Sequence, residues 1–238
     1  MINIQPIEKI EHFGGSDDGG LDIHSIFPTI QGEGPFVGQP AIFIRMAGCN
    51  LQCPLCDTEY TAGRQRLSVA SIFDAVQEHI RSFAPLIVIT GGEPFRQRNL
   101  HALVRFFLFK GFRVQIETNG THYNERMPLL DSDLTIVCSP KTGKIASKLV
   151  QHIGYYKYII KDGDVDHIDG LPVHALDHTV SGKVARPPQG IFRDRVYVQP
   201  CDTQDAESNA KSLQAAIKSC RDFGYTLCLQ THKIINLP

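Results

Sequence analysis

The chain has 238 residues, 42% hydrophobic and 21% charged, enough apolar material for one sizeable core in a single globular domain. Twenty-four basic against twenty-five acidic side chains leave a formal net charge of -1, so no overall field favours direct nucleic-acid contact or an anionic membrane. No apolar run approaches a membrane span, and Met1 to Glu8 lacks the basic and apolar regions of a secretory signal, which predicts a cytoplasmic protein.

Residues 1–20 are polar and end in Gly14-Gly-Ser-Asp-Asp-Gly-Gly20, which predicts a flexible N-terminal leader ahead of one domain over residues 21–238. Short apolar runs rich in β-branched residues at 41–44, 86–89, 112–116, 134–137, 155–160, 196–198 and 225–229 read as buried strands. Helical periodicity is clearest over 68–83, where Val69, Ile72, Phe73, Val76, Ile80 and Phe83 share a face behind a Ser68 N-cap. A second helix carries Leu100, Leu103, Val104, Phe107 and Leu108 and is closed by Gly111. The stretch from Asp162 to Arg195 is long, polar and without periodicity, readable as a lid, a dimer arm or an insertion.

Alternating strands and helices imply an α/β fold around a mostly parallel sheet. Polar clusters follow seven strands in turn: Cys49 to Cys56, Gly91-Gly-Glu-Pro94, Glu117-Thr-Asn-Gly120, Ser139-Pro-Lys141, Lys161-Asp162, Gln199-Pro200 and Gln230-Thr-His232. Loops converging from many strand ends favour a partial β/α barrel, since a doubly wound sheet would concentrate them at one switch point.

Seven cysteines are an odd number, and three fall within eight residues, which points to a metal site in a reducing compartment and not to a disulfide framework. Cys49-Asn-Leu-Gln-Cys53-Pro-Leu-Cys56 offers three thiolates, which suit three corners of a 4Fe-4S cluster with one iron left open. A structural zinc ion needs a fourth ligand, and Cys138, Cys201, Cys220 or a histidine is a candidate; three ordinary core cysteines are the plainest alternative. Cys138, Cys201, Cys220 and Cys228 lie on or beside apolar runs and read as small core residues.

The C-x3-C-x2-C spacing after a barrel strand resembles the radical S-adenosylmethionine superfamily. In that superfamily the open iron chelates S-adenosyl-L-methionine, whose cleavage yields a 5'-deoxyadenosyl radical. Leu55 departs from the aromatic residue that usually precedes the third cysteine. Thr29 to Gly34, Phe43-Ile-Arg45, Gly48-Cys49-Asn50, Cys56-Asp57-Thr58, Thr90 to Pro94, Glu117 to Thr121, Ser139 to Lys141, Leu229 to Lys233 and Pro238 together resemble the 7-carboxy-7-deazaguanine synthases.

The resemblance implies a lyase that converts 6-carboxy-5,6,7,8-tetrahydropterin to 7-carboxy-7-deazaguanine with loss of ammonia, on the route to queuosine. It also implies magnesium (Mg2+), a flavodoxin-type electron donor and a homodimer. The cluster would be held by Cys49, Cys53 and Cys56, and magnesium by Thr58. The substrate would meet Ile30, Gln31, Gly32, Glu33, Arg45, Thr90, Glu117, His232 and Pro238. S-adenosylmethionine would meet Leu55, Cys56, Asp57, Gly91, Gly92, Glu93, Ser139, Pro140, Lys141, Gln199, Pro200, Cys201 and Asp202.

Residue chemistry bears on these roles separately. A carboxylated pterin has an anionic edge that calls for a cation, which Arg45 beside the cysteine loop could supply, and a guanine-like edge that calls for amides or carboxylates. Glycines at 91 and 92 permit close approach of backbone to a cofactor. The plain readings stand beside these: a structural Arg45, a Gly-Glu-Gly turn around Glu33, loop-capping Thr90 and Glu117, a helix-capping Thr58, a solvated Lys141 and surface histidines at 79, 101 and 152. A glycyl-radical activating enzyme shares the cysteine spacing without needing Thr29 to Gly34 or Arg45, and a non-catalytic zinc or iron-sulfur carrier needs neither.

Overall fold

The structure is a computed structural model, and it describes residues 3–13, 18–178 and 182–238. Gly14 to Asp17 of the glycine-rich joint lie outside the described residues.

The strands are β1 (Leu21–Ile30), β2 (Pro40–Met46), β3 (Gln65–Leu67), β4 (Leu86–Gly91), β5 (Val114–Thr118), β6 (Leu134–Cys138), β7 (Tyr155–Ile160), β8 (Val196–Pro200) and β9 (Thr226–Leu227), and all but β1 and β3 lie on the β-branched runs. All nine join one sheet in the order β3-β1-β2-β4-β5-β6-β7-β8-β9. From β2 to β9 every neighbouring pair is parallel, while β1 is antiparallel to both β2 and β3. The two ends of the sheet do not pair, so the barrel is partial, as the strand-end clusters predict. The antiparallel β1 and the short β3 are additions that the run pattern did not mark as barrel strands.

The crossovers are reduced. Helices α1 (Val69–Gln77), α2 (Leu100–Phe109) and α4 (Ala206–Phe223) are full crossovers, α3 (Ser147–Val150) is one turn, and α5 (Thr231–Ile234) lies near the carboxyl end. Ser68 caps α1 as predicted, accepting from the Ser71 amide at 3.1 Å, but the helix stops at Gln77. Beyond it the helical register lapses, so Phe83, expected on the buried face, is 55% exposed. Ile72 and Val76 of α1 and Leu100, Leu103, Val104 and Phe107 of α2 are buried against one face of the sheet in the main core.

Strand periodicity then sorts the chemistry, because successive side chains point to opposite faces. On β2, Ile42, Ile44 and Met46 enter the main core, leaving Phe43 and Arg45 for the other face. The same alternation puts Thr90, Gln115, Glu117, Lys157, Ile159 and Gln199 on that face, with Arg45 in register with Thr90 and Ile159 with Gln199.

The amino-terminal stretch departs from expectation. Residues 3–12 are not a detached leader: Ile7 bridges Cys49 in parallel, and the Glu11 amide donates to the Arg96 carbonyl at 2.8 Å. Among its described residues the 162–195 stretch forms no regular helix beyond a short turn at Arg193–Arg195, yet ion pairs of Asp166 with Lys183 and of Asp169 with Arg186 tie it together.

Candidate active site

Two cavities open on the functional face. One, of about 140 Å³, is lined by Cys49, Cys53, Cys56, Gly91, Gly92, Ser139 and Lys141 among others. The second, of about 330 Å³, is lined by Ile30, Gln31, Glu33, Arg45, Gln199, Gln230, His232 and Pro238 among others. Asp57, Thr58, Thr90, Glu117, Lys157 and Ile159 line both, so the two spaces share a wall.

The cysteines reach the first cavity because they lie in the loop after β2 that contains no helix or strand. Burial pushes the Cys49 thiol up to about 12 and the Cys53 thiol to about 11, so without a metal both stay protonated at neutral pH. Among the described residues no group of three His, Cys, Asp or Glu converges on one point. A four-iron cluster does not need that convergence, since each thiolate binds a different iron. Lys141, half-buried near Cys53 and Cys56, faces the thiolates; burial pushes its ammonium down and the thiolates oppose this. Donor set, cavity and cation therefore fit a cluster held by three cysteines.

Gly91 and Gly92 line this cavity, but the structure gives their lack of a side chain a second cause. A Cβ on Gly91 would lie 2.2 Å from the Met46 carbonyl oxygen, and one on Gly92 would lie 2.0 Å from that of Gly48. The strand-end backbone thus packs against the root of the cysteine loop. Glu93 is fully buried and does not line either cavity; its carboxylate accepts from the Phe95 and Asn119 amides and the Thr118 hydroxyl at 3.0, 2.7 and 2.7 Å. Asn119 extends the tie by donating to Asn50 at 3.0 Å, inside the cysteine loop.

The second cavity is built around carboxylates held by named donors. Glu117 on β5 accepts from Thr90 at 2.9 Å, Gln115 at 2.9 Å and Gln31 at 3.3 Å. Glu33 pairs with Lys157 and accepts from Gln230 at 2.8 Å. Burial pushes the Glu33 carboxyl up, but Lys157 and Gln230 outweigh it and hold it below its ordinary range. Arg45 lies over the Phe27 ring at 5.4 Å, and its buried Nε has no hydrogen-bond partner. Arg45 also lines this cavity, so its guanidinium is the cation available to an anionic ligand there.

The carboxyl end folds back onto this cavity. Thr29 donates to the Pro238 carbonyl oxygen at 2.9 Å, and Lys233 bridges Asp57 at 3.2 Å and Asp202 at 2.8 Å. Gly32 lies beneath the His232 ring, where a Cβ would come within 2.0 Å of Nδ1.

Of the predicted cofactor residues, Cys56, Asp57, Gly91, Gly92, Ser139 and Lys141 line the cysteine cavity, whereas Leu55, Glu93, Pro140, Pro200, Cys201 and Asp202 do not. Gln199 lines the other cavity, and Asp202 instead holds Lys233. Leu55 donates its amide to the Leu176 carbonyl at 3.1 Å, and Leu176, in the left-handed region at φ 53°, reaches the cysteine cavity from the long polar stretch. Cys138 is in the main core and Cys228 accepts from the Gly34 amide, as core cysteines would.

Lys157 is not marked by the sequence motifs, and Gln230 is marked only as part of the last strand-end cluster. A lysine inside the run Tyr155-Tyr-Lys-Tyr-Ile-Ile160 was the available signal, because lysine is almost never buried unpaired.

A family model for the radical SAM superfamily matches residues 43–144. A 7-carboxy-7-deazaguanine synthase from Rhodospirillum rubrum is 40% identical over 227 residues, covering 93% of this chain and 94% of that protein. The chain belongs to the 7-carboxy-7-deazaguanine synthase family. A synthase of Rickettsia prowazekii is 37% identical over 93% of this chain and 91% of its own length. The crystal structure of QueE from Escherichia coli superposes with a TM-score of 0.65 at 23% identity, covering 88% of this chain and 93% of that one, and supports the shared fold. As a radical SAM synthase the protein uses a 4Fe-4S cluster and S-adenosylmethionine. No helix among the described residues is long and apolar enough to cross a membrane.

Proposed function

We propose that this lyase converts 6-carboxy-5,6,7,8-tetrahydropterin to 7-carboxy-7-deazaguanine with release of ammonia, in 7-deazapurine (queuosine) synthesis. The observation that carries the reading is the shared wall, which sets a three-cysteine cavity directly beside one lined by Arg45 and Glu117. When bound, the cluster and S-adenosylmethionine supply the 5'-deoxyadenosyl radical that removes a hydrogen atom from substrate.

The chain's own residues do the rest. Arg45 takes the pterin carboxylate, and the Phe27 ring holds its guanidinium in place. Glu117 and Gln31 face the guanine-like edge, already oriented by their mutual bond and by Thr90. Lys157 keeps Glu33 ionised and fixed, while His232 and Pro238 close the outer side. Thr58 lies on the shared wall with its hydroxyl 3.4 Å from Asp57, and we assign it to magnesium, which keeps waters and shares substrate oxygens. A flavodoxin-type donor and a homodimeric assembly complete the proposal.

The test is anaerobic incubation of the reconstituted protein with S-adenosylmethionine, magnesium, reductant and 6-carboxytetrahydropterin, followed by mass spectrometry. The deazapurine together with 5'-deoxyadenosine is expected. Deoxyadenosine without it would overturn the substrate assignment, and neither product from protein shown to hold its cluster would overturn the reaction.

A further inference from the structure

A loop with no secondary structure must find partners elsewhere for its backbone carbonyls. In the cysteine loop some partners are local, as where the Cys56 amide donates to the Cys53 carbonyl at 3.1 Å, but four loop carbonyls also receive donors from residues 3–8. The Glu8 amide donates to the Cys49 carbonyl at 2.7 Å and the Asn3 amide to that of Pro54 at 2.8 Å. Asn3 Nδ2 donates to the Cys53 carbonyl at 3.1 Å and Gln5 Nε2 to that of Thr58 at 2.8 Å. Gln5 also accepts through Oε1 from the Tyr60 amide at 2.7 Å, and through its own carbonyl from Gln52 at 2.6 Å. Gly48, at the root of the loop, is capped by the Glu8 carboxylate, which Arg64 and Arg96 hold in place.

This contact is not ordinary core packing. Ile4 and Ile7, the apolar residues of the segment, are 87% and 63% exposed, so hydrogen bonds hold it down and burial does not. A segment that buries so little apolar surface adds little to the stability of the fold. It does span the loop from the first cysteine to the proposed magnesium ligand.

We propose that residues 3–8 form an outer clasp for the cluster loop, with Asn3 and Gln5 as positioning residues for the three cysteines. The inference rests on the cluster reading. With the clasp in place, the loop carbonyls are satisfied and the thiolates stay aimed at the cavity. Without it, the loop opens more often and releases iron.

The experiment compares full-length protein, Asn3→Asp, the double variant Asn3→Ala/Gln5→Ala and a form lacking residues 1–8, all reconstituted anaerobically. Asn3→Asp keeps the acceptor that binds the Gln5 amide at 3.0 Å but loses the donor to Cys53. Iron and sulfide content establishes loading; bleaching by an iron chelator gives the release rate; electron paramagnetic resonance of the reduced cluster reports its surroundings. We expect release at least about fivefold faster in all three variants, the loss expected for one or two net hydrogen bonds, with a broadened resonance and, in the two side-chain variants, which keep Glu8 on Arg64 and Arg96, unchanged melting of the iron-free proteins. Equal release rates from fully loaded full-length and variant proteins would overturn the clasp. Melting of the iron-free side-chain variants lowered in step with faster release would also overturn it, by making the segment a general support. Full-length protein that holds no iron would instead overturn the cluster reading.

Discussion

The ammonium of Lys157 on β7 pairs with the carboxylate of Glu33, 124 residues earlier in the chain, in the wall of the proposed substrate cavity. Burial alone would push the Lys157 ammonium down, but Glu33 and Glu117 more than reverse this and hold it above its ordinary value. Glu33 moves the other way, below its ordinary value. Its share of the stabilisation is therefore complete above the unfolded carboxylate value, about 4.3, and is lost as pH falls through the lower folded one. The Lys157 share is complete below about 10.4 and is lost only as pH rises through the higher folded value. Across neutral pH the pair is intact. Lys157→Met should lower stability by about 3–5 kcal/mol, because it strands a buried carboxylate. Adding Glu33→Gln should recover most of that, since no buried charge remains. Urea titrations of the parent protein, Lys157→Met, Glu33→Gln and the double variant from pH 4 to 9 check this; equal stability of Lys157→Met and the double variant would refute the coupling.

Arg45 tests the substrate assignment, as it is the arginine that lines the second cavity. Arg45→Ala should raise the KM for the pterin by about 10- to 100-fold, the range for losing a hydrogen bond to a charged group. It should leave uncoupled cleavage of S-adenosylmethionine in place, because the cysteine cavity lies across the wall. Steady-state kinetics with parallel counting of 5'-deoxyadenosine reads both. An unchanged KM would remove Arg45 from the site.

How far the site could be read from sequence depends on which residues announce themselves. The cysteine spacing and the strand-end polar clusters were legible because metal ligation and β/α loops impose local patterns. Arg45 was legible because a charge inside an apolar strand needs a reason. Lys157 carried the same signal and was passed over, since it meets Glu33 only after seven parallel strands have curved into place. The clasp left no pattern at all. Its contacts use backbone atoms and two polar side chains, with no apolar periodicity, so residues 3–12 looked like the glycine-rich joint that follows them. Phe83 failed for the opposite reason, because periodicity continued past the point where the helix ends.

Gly92 separates two explanations for the Gly-Gly-Glu motif. If it is glycine only to admit a cofactor, Gly92→Ala should leave the iron-free protein intact. The 2.0 Å approach to the Gly48 carbonyl oxygen says otherwise. A methyl group there must push the cysteine loop off the strand end, so Gly92→Ala should lower the melting temperature of the iron-free protein by several degrees, about 1–3 kcal/mol for an overpacked site. Calorimetry before cluster reconstitution decides between them, and an unchanged melting temperature would return the glycine to the cofactor alone.

Gly32 offers the same kind of test at the opposite side of the substrate cavity. The His232 ring occupies the space a Cβ would need, and the Thr231 amide donates to the Gly32 carbonyl at 3.1 Å, so α5 is seated directly on the turn after β1. The main core is elsewhere, against α1 and α2, so displacing α5 should cost little global stability. Gly32→Ala should therefore unseat His232 and, through it, the Thr29 bond to Pro238. The expected result is faster hydrogen exchange across residues 231–237 and a KM for the pterin raised by about tenfold or more, with the melting temperature nearly unchanged. Thr29→Val removes only the bond to Pro238 and should give a smaller rise in KM. Protected exchange in the Gly32 variant would mean that the ring can move aside without releasing the segment, and His232 would then lose its assigned place against the substrate.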